Sequence, residues 1–162
     1  MISDARRNVK KATESWKERD IDVSFRFRVA SCEKTGAKDE MYDLVIADHV
    51  LFYCKNINKA LDEIVRVLKP GGLLVCSTYG SMHMQEISKL VSAYDKRIAL
   101  EADKLFEKFG LDNGDKILKK HFSDVERRDY GDALVVDEAE PLVDYILSCH
   151  GNQKEYLGDK YT

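Results

Sequence analysis

Two short apolar runs flank an amphipathic segment in the middle of the chain, and this pattern predicts a βαβ unit. Residues 43–47 form an apolar, β-branched run that is typical of a strand buried on both faces. Apolar residues then recur at helical spacing over residues 59–68, with Asn58 as the expected N-cap. Residues 73–78 supply the second strand. Strands joined by a crossover helix are expected to be parallel.

The segment Lys69-Pro70-Gly71-Gly72 separates the predicted helix from the second strand. Proline cannot continue a helix, and glycine tolerates the positive φ of a tight turn. We therefore expect the helix to end here and the chain to turn directly into the strand.

Weaker patterns flank this unit. Residues 22–30 alternate apolar and polar side chains, which predicts a strand with one buried face. Residues 151–162 are polar, and we expect no core role for them. The remaining expected elements are helices over residues 3–18, 87–98, 102–109, 114–121 and 140–148, and strands over residues 125–130 and 133–136.

Composition predicts one soluble domain over residues 1–162. The chain is 44% hydrophobic and 34% charged, with a net charge of −3. Because acidic and basic residues are mixed, we expect no nucleic-acid partner, and because no apolar run reaches membrane length, we expect no membrane partner. The cysteines, at positions 32, 54, 76 and 149, show no CxxC spacing, which favours buried thiols in a reducing cytoplasm and no metal site.

The central motifs resemble a known enzyme family. The run DLVIADHVLFY, the helix that ends in RVLKPGG and the strand LLVCSTYG together resemble class I S-adenosylmethionine-dependent methyltransferases, and more narrowly their small-molecule "type 11" branch. The resemblance covers roughly residues 3–122. It implies a Rossmann-like α/β sheet, S-adenosylmethionine as the methyl donor and a small-molecule acceptor. The alternative is a generic βαβ unit of another doubly wound protein.

Part of the family pattern is missing from the sequence. In the family, the first strand ends in a glycine-rich loop that approaches the donor, and the second ends in an acid that binds the ribose. The chain has no GxGxG-like run. The resemblance therefore predicts a truncated methyltransferase domain, a fragment that lacks the N-terminal glycine-rich motif. Its sheet would be incomplete, with residues 22–30, 42–47, 73–78 and 125–130 as the family's third to sixth strands. We expect such a chain to bind the donor weakly or not at all.

Missing neighbours would leave sheet edges unpaired. The third strand normally pairs with the second, and the fourth with the first, so both would lose a partner. Unpaired edges favour association between chains. We expect a homodimer, strand exchange, or direct pairing of the third strand with the fourth.

Ligands of open α/β sheets bind outside the carboxyl ends of the strands. This rule selects Ser31 and Cys32 after one predicted strand, Asp48 and His49 after the next, and residues 79–83 after the last. The resemblance implies that Ser31 stands where the family commonly has an aspartate for the adenine amino group.

The resemblance also implies roles for the other strand-end residues. Ala47 and Asp48 would face the methionine part of the donor, and the Asp48 carboxylate could attract its ammonium. His49 could act as a base toward the acceptor. Three side chains are expected to line the acceptor pocket: Tyr53, Tyr79 and His83.

Two other functions compete with methyl transfer. One is a non-catalytic interaction module that keeps the core of the fold without the donor loop. The other is a nicotinamide oxidoreductase, which is disfavoured because the chain has neither a GxGxxG loop nor an apparent catalytic Tyr/Lys pair.

Overall fold

The computed structural model describes residues 2–17, 23–100, 104–149 and 151–157. The order of elements is α1 (Ile2–Lys17), β1 (Tyr42–Asp48), a 3₁₀ turn (Leu51–Tyr53), α2 (Ile57–Val67), β2 (Leu68–Ser77), α3 (Gln85–Tyr94), α4 (Leu105–Lys108), α5 (Gly114–Leu118), α6 (Ala139–Ser148) and α7 (Gln153–Leu157).

The predicted βαβ unit is confirmed. β1 and β2 pair in parallel, and α2 connects them. The register runs from Leu44 opposite Leu73 to Asp48 opposite Ser77, so the two strands end at the same edge of the sheet. This unit is the two-stranded parallel part of the α/β fold that the sequence pattern predicted.

α2 begins two residues earlier than predicted. Asn56 is the N-cap, because its side-chain oxygen accepts a hydrogen bond from the backbone N–H of Lys59 at 3.1 Å. The predicted cap, Asn58, lies inside the helix, and its Oδ1 is 3.2 Å from Nε2 of His121. At the other end, Leu68 is already extended with ψ 139°, so the helix stops before the proline.

The Lys-Pro-Gly-Gly segment forms a bulge at the start of β2 and not a separate turn. Tyr42 pairs with Leu68, but the next pair is Leu44 with Leu73, so β2 contains extra residues at this point. Gly71 takes a φ of +77°, which glycine adopts without steric cost. The bulge takes the place of the expected turn, because it lets the chain pass from the helix into the strand within a few residues.

The sheet is covered on one face. Ala47 is buried, and Val45, Leu74 and Cys76 pack around it. This face contacts the apolar side of α2, including Leu61. The buried members of this first core cluster are Ala47, Leu51, Phe52, Leu61, Ile64, Leu68 and Phe109.

The opposite face of the sheet is exposed. Ile46 is 67% exposed and Leu73 is 58% exposed, and their neighbours Leu44 and Val75 are exposed as well. The prediction of a strand buried on both faces is therefore wrong for the described residues. We call the surface formed by Leu44, Ile46, Leu73 and Val75 the open sheet face.

The other predicted strands do not form in the described part of the chain. Residues 23–30, 125–130 and 133–136 have no strand structure, and residue 22 lies outside the described ranges. The expected pairing of residues 22–30 with β1 is absent there, and the described sheet has two strands instead of four. Most side chains in these segments are exposed, 93% in the case of Val135, so they gain little burial that would offset the cost of ordering a strand.

The C-terminal region forms a second apolar cluster. Its buried members are Val91, Ile98, Leu100, Ile146 and Leu157. α6 is confirmed within one residue of its predicted start. The expectation that residues 151–162 have no core role is wrong, because Gln153 and Leu157 of α7 are buried.

The other predicted helices form with shifted bounds. α1 matches its prediction, although residue 18 lies outside the described ranges. α3 ends at Tyr94, short of the predicted residue 98, and α5 ends at Leu118, short of residue 121. α4 covers only four of the residues predicted over 102–109, of which 102 and 103 are outside the described ranges. Within the described ranges, none of the helices has the length and hydrophobicity that crossing a bilayer requires.

Candidate functional site

The ends of β1 and β2 bring three polar groups together. The Ser77 hydroxyl donates a hydrogen bond to the Asp48 carboxylate across the two strands. The same hydroxyl oxygen accepts a hydrogen bond from the backbone N–H of His49 at 3.1 Å. Ser77 therefore fixes both the carboxylate at the end of β1 and the residue that follows it.

His49 leaves the strand in a left-handed backbone conformation. Its φ is +47°, which is uncommon for a residue other than glycine. Such conformations carry a steric cost and persist where surrounding contacts determine them. Here the hydrogen bond to Ser77 and the ring contacts of His49 provide those contacts.

An aromatic cluster lies beside these polar groups, and Tyr79 is at its centre. The His49 ring is nearly parallel to the Tyr79 ring, with an interplanar angle of 13° and 6.3 Å between centroids. Phe52 approaches Tyr79 edge-on at 5.4 Å, and His83 lies 5.0 Å away. The strand-end aromatic cluster consists of His49, Phe52, Tyr53, Tyr79, His83 and Phe106.

Six of the eight predicted site residues lie at this edge: Ala47, Asp48, His49, Tyr53, Tyr79 and His83. They differ in accessibility. Ala47 is buried in the first core cluster, so its methyl group faces the core. Tyr53 is 68% exposed and packs against Phe52 with 4.7 Å between ring centroids.

Ser31 and Cys32 do not follow a strand. They lie in a tight turn in which Ser31 forms an isolated bridge with Lys34. The backbone N–H of Glu33 donates to the Ser31 hydroxyl at 3.2 Å, which closes the turn. The prediction that these two residues follow a strand is therefore wrong.

The turn nevertheless reaches the segment that follows the aromatic cluster. Cys32 Sγ lies 3.0 Å from Cys54 Sγ. The Glu33 carboxylate accepts a hydrogen bond from the backbone N–H of Asn56 at 2.8 Å. These two contacts hold the turn at residues 31–34 against the start of α2.

The cysteines are less buried than the sequence suggested. Cys32 is exposed, and Cys54 and Cys76 are half-buried. Burial, together with the neighbouring Cys32 thiol, raises the pKa of Cys54 to about 12. Burial also raises the pKa of Cys76. Both groups are therefore thiols, and not thiolates, at neutral pH.

Sequence reasoning missed four residues of this region: Phe52, Cys54, Ser77 and Phe106. The sequence contained a signal for Ser77: a hydroxyl at the last position of one strand lies opposite the last residue of the neighbouring strand. Phe106 had none, since it comes from α4 and reaches Tyr79 only through tertiary packing. In the part of the chain that the structure describes, no group of three or more potential ligands is placed to hold a metal ion.

An apolar cavity of about 290 Å³ lies elsewhere, between α3, α6 and α7. Its lining includes Leu90, Tyr94, Leu142 and Ile146. None of its lining residues comes from the ends of β1 and β2, so it does not belong to the strand-end site.

The N-terminal half of the chain matches a known protein family. Residues 1–76 match the sequence model of the family described as "Methyltransferase domain". This range contains β1, α2 and all but the last residue of β2. The resemblance to class I S-adenosylmethionine-dependent methyltransferases is confirmed.

Curated relatives of the methyltransferase-like chain carry related names. A malonyl-[acyl-carrier protein] O-methyltransferase of Methylococcus capsulatus is 33% identical over 67 residues, which is 41% of this chain and 24% of the relative. A second malonyl-[acyl-carrier protein] O-methyltransferase, of Buchnera aphidicola, is 37% identical over 60 residues, or 37% of this chain and 24% of the relative. A sterol 4-C-methyltransferase of Caenorhabditis elegans is 37% identical over 57 residues, or 34% of this chain and 17% of the relative.

The matched regions are partial. The chain spans about a quarter or less of the length of these curated relatives. No solved structure gives a significant match. The methyltransferase-like region therefore supports a Rossmann-like α/β fold and a resemblance to methyl-transferring enzymes.

Proposed function

We propose that the protein takes part in S-adenosylmethionine-dependent methyl transfer to a small-molecule acceptor, and that residues 1–162 form one domain in the cytoplasm. One observation carries the proposal. Asp48, His49 and Tyr79 meet at the carboxyl edge of two parallel strands, within or next to the segment that matches a methyltransferase domain. Ligands of open α/β sheets bind at this edge.

In this proposal, the end of β1 contacts the methionine part of the donor. The Asp48 carboxylate is exposed and accepts a hydrogen bond from the Ser77 hydroxyl, so it keeps acceptor capacity for the donor's ammonium. Ala47 contributes through its backbone, because its side chain faces the core. The turn with Ser31 and Cys32 contacts the adenine edge and offers a hydroxyl and a thiol in place of the family's aspartate.

The strand-end aromatic cluster then receives the acceptor. Tyr79 stacks on His49, His83 lies beside Tyr79, and Tyr53 packs on Phe52, so the cluster offers ring faces and polar tips next to His49. His49 acts as the base toward a protonated acceptor. The donor's sulfonium supplies an activated methyl group, so the protein's contribution is chiefly to align the acceptor with that group.

Donor affinity of this chain is expected to be low. The sequence has no glycine-rich loop of the family's kind, and the two-stranded sheet in the described residues offers one wall to the donor. We expect dissociation constants at or above the millimolar range. The binding free energy is then no more favourable than about −4 kcal/mol.

The test is ligand-observed NMR with millimolar S-adenosylmethionine and the whole chain. We expect saturation transfer to the donor that falls in Asp48→Asn and is unchanged in Asp124→Asn, an exposed carboxylate outside the strand-end site. Calorimetric titration is expected to show no micromolar binding. Equal saturation-transfer signals in both variants would show that Asp48 does not contact the donor. Micromolar affinity would refute the proposal that the donor site is weak.

The open sheet face favours a second candidate, a non-catalytic interaction module. Leu44, Ile46, Leu73 and Val75 form a contiguous apolar surface, and contiguous apolar surfaces often mark protein interfaces. In the described sheet, the outer edges of β1 and β2 are also unpaired. A homodimer that packs two open sheet faces together would cover the apolar surface, and pairing of the outer edges would extend the sheet.

Sedimentation velocity over a range of protein concentrations distinguishes this candidate. A module that dimerises through the sheet shows concentration-dependent association that Ile46→Lys abolishes. Val135→Lys is the matched control, because Val135 is exposed and lies outside the sheet. A monomer at all concentrations would argue against the dimer and leave methyl transfer as the better proposal.

A further inference from the structure

We propose that Cys32 and Cys54 form a reversible thiol–disulfide pair, oxidised by small-molecule disulfides, that fastens the turn at residues 31–34 to the segment before α2. Cys32 lies in the turn that the proposed function places at the adenine edge of the donor. Thiol oxidation is nevertheless a separate chemistry, and its test does not require donor binding.

The geometry places the two sulfur atoms in contact before any bond exists. Cys32 Sγ and Cys54 Sγ are 3.0 Å apart, although the residues are 22 positions apart in the sequence. A disulfide bond is about 2.05 Å long, so closure requires a movement of roughly 1 Å. The fold, and not sequence proximity, therefore brings the two thiols together.

A second contact holds the turn in place on the same segment. The Glu33 carboxylate accepts a hydrogen bond from the backbone N–H of Asn56 at 2.8 Å. Glu33 is next to Cys32, and Asn56 is two residues after Cys54. The reduced turn is thus already anchored beside Cys54. This lowers the entropic cost of bringing the two thiols together for bond formation.

The two thiols differ in exposure, and this difference assigns their roles. Cys32 is exposed and can meet an oxidant in solution, whereas Cys54 is half-buried. Burial raises the pKa of Cys54 to about 12, which makes it a poor first nucleophile. Cys32 therefore attacks the oxidant, and Cys54 resolves the intermediate.

The chemistry balances with a symmetrical small disulfide of the oxidised-glutathione class. The Cys32 thiolate attacks one sulfur of this oxidant, the oxidant's S–S bond breaks, and the first thiolate leaves and takes up a proton. Cys54 then loses its proton to solvent and attacks Cys32 Sγ, which displaces the second small thiolate. Two protein thiols are oxidised, and one small disulfide is reduced to two thiols.

The remaining cysteines provide internal controls. Cys76 lies on the covered face of the sheet and packs against the first core cluster. Cys149 packs against the second cluster and contacts the carbonyl of Tyr145. Neither position belongs to the turn or to the segment before α2.

The experiment equilibrates the whole chain in glutathione buffers of increasing oxidised fraction, followed by acid quenching and alkylation of free thiols. We expect two of the four thiols to become protected together, and dithiothreitol to restore them. Trypsin separates the two positions into peptides 29–34 and 39–55, so the bond appears as one linked pair in the mass spectrum. The extent of linkage is expected to be independent of protein concentration.

Variants complete the test. Cys32→Ser is expected to abolish the linked pair, and Cys149→Ser is expected to leave it unchanged. Cys32 is exposed, so its variant keeps the native circular dichroism spectrum and remains interpretable if Cys54→Ser fails to fold. A stable glutathione adduct on Cys32 without the linked peptides, or linkage that involves Cys76 or a second chain, would overturn the proposal.

Discussion

The carboxylate of Glu63 is bound by the guanidinium of Arg66, one turn further along α2. Arg66 Nε lies 2.9 Å from Oε2, and Arg66 Nη2 lies 2.7 Å from Oε1. The backbone N–H and the hydroxyl of Thr35 also donate to Oε1, each at 2.7 Å. Arg66 in turn donates to the carbonyl of Ala37 at 2.9 Å and to Asp39. The buried Glu63 therefore fastens the chain that enters β1 to α2.

This network predicts a specific pH dependence. Hydrogen bonds from Arg66 and then from Thr35 lower the pKa of Glu63 from its ordinary value of 4.5 to about 2. A carboxyl group whose pKa is lower in the folded state stabilises the fold above its unfolded-state pKa, and this contribution is lost as the pH falls through the folded-state value. We expect the network's contribution to disappear between about pH 4.5 and pH 2.

Glu63→Gln is the corresponding substitution. We expect it to lower the free energy of unfolding by about 1–3 kcal/mol at pH 7, because donors of Thr35 and Arg66 lose an ionised acceptor. The difference from wild type should shrink as the pH is lowered toward 2, and urea denaturation at several pH values measures it. Glu138→Gln is the control, because Glu138 is exposed and makes no side-chain cap hydrogen bond. A pH-independent difference would contradict the ionisation argument.

The geometry after β1 depends on Ser77. Ser77→Ala removes the donor to Asp48 and the acceptor for the His49 N–H. We expect a loss of about 1–2 kcal/mol in the free energy of unfolding and faster amide hydrogen exchange at His49. Ser81→Ala, at an exposed loop position, should change neither quantity. Unchanged exchange at His49 would show that the ring contacts alone hold its left-handed backbone.

Much of the βαβ unit and of its site could be predicted from the sequence, because the signals are local. The apolar runs mark β1 and β2, and helical spacing marks the segment between them. Parallel pairing then follows from the crossover, and it places Asp48 at the same edge as the start of the loop that carries Tyr79. The strand-end rule therefore found most of the predicted site without any contact information.

The failed predictions concern features that need a partner distant in sequence. Alternation in residues 22–30 indicates one apolar face, but a strand forms only where a neighbouring strand supplies hydrogen-bond partners. The described residues 23–30 pair with no such neighbour and form no strand. The contact of Cys32 with Cys54 and the burial of Gln153 are also tertiary. No spacing pattern marks either of them.

The first core cluster predicts which side-chain truncations lower the free energy of unfolding. Leu61 on α2 is fully buried against the covered face of the sheet, so Leu61→Ala is expected to lower the free energy of unfolding by about 2–5 kcal/mol. Leu73→Ala makes the same chemical change on the open sheet face, where we expect an effect within about 0.5 kcal/mol. Chemical denaturation compares the two variants. Similar losses in both would mean that the open sheet face is covered in solution, as the dimer proposal requires.

The backbone around Gly110 has no room for a side chain and lies next to Phe106 of the aromatic cluster. A Cβ atom at this position would clash with the backbone carbonyl oxygen of Phe106, closer than real Cβ atoms essentially ever come. The neighbouring Phe109 is buried, and its carbonyl accepts a hydrogen bond from the Thr78 hydroxyl at 2.7 Å. Any shift of this segment is therefore transmitted to Phe106 and to the chain that follows β2.

We accordingly expect Gly110→Ala to lower the free energy of unfolding by about 1–3 kcal/mol, because the backbone and not a flexible side chain must move. Gly131→Ala is the matched control, since a Cβ atom there meets no atom within 4 Å. Near-ultraviolet circular dichroism should change in the first variant, because Phe106 lies 6.2 Å from the Tyr79 ring, and remain constant in the second. A Gly110→Ala variant with wild-type stability would mean that the turn after α4 relaxes without disturbing Tyr79, and the cluster would then be less rigid than its packing implies.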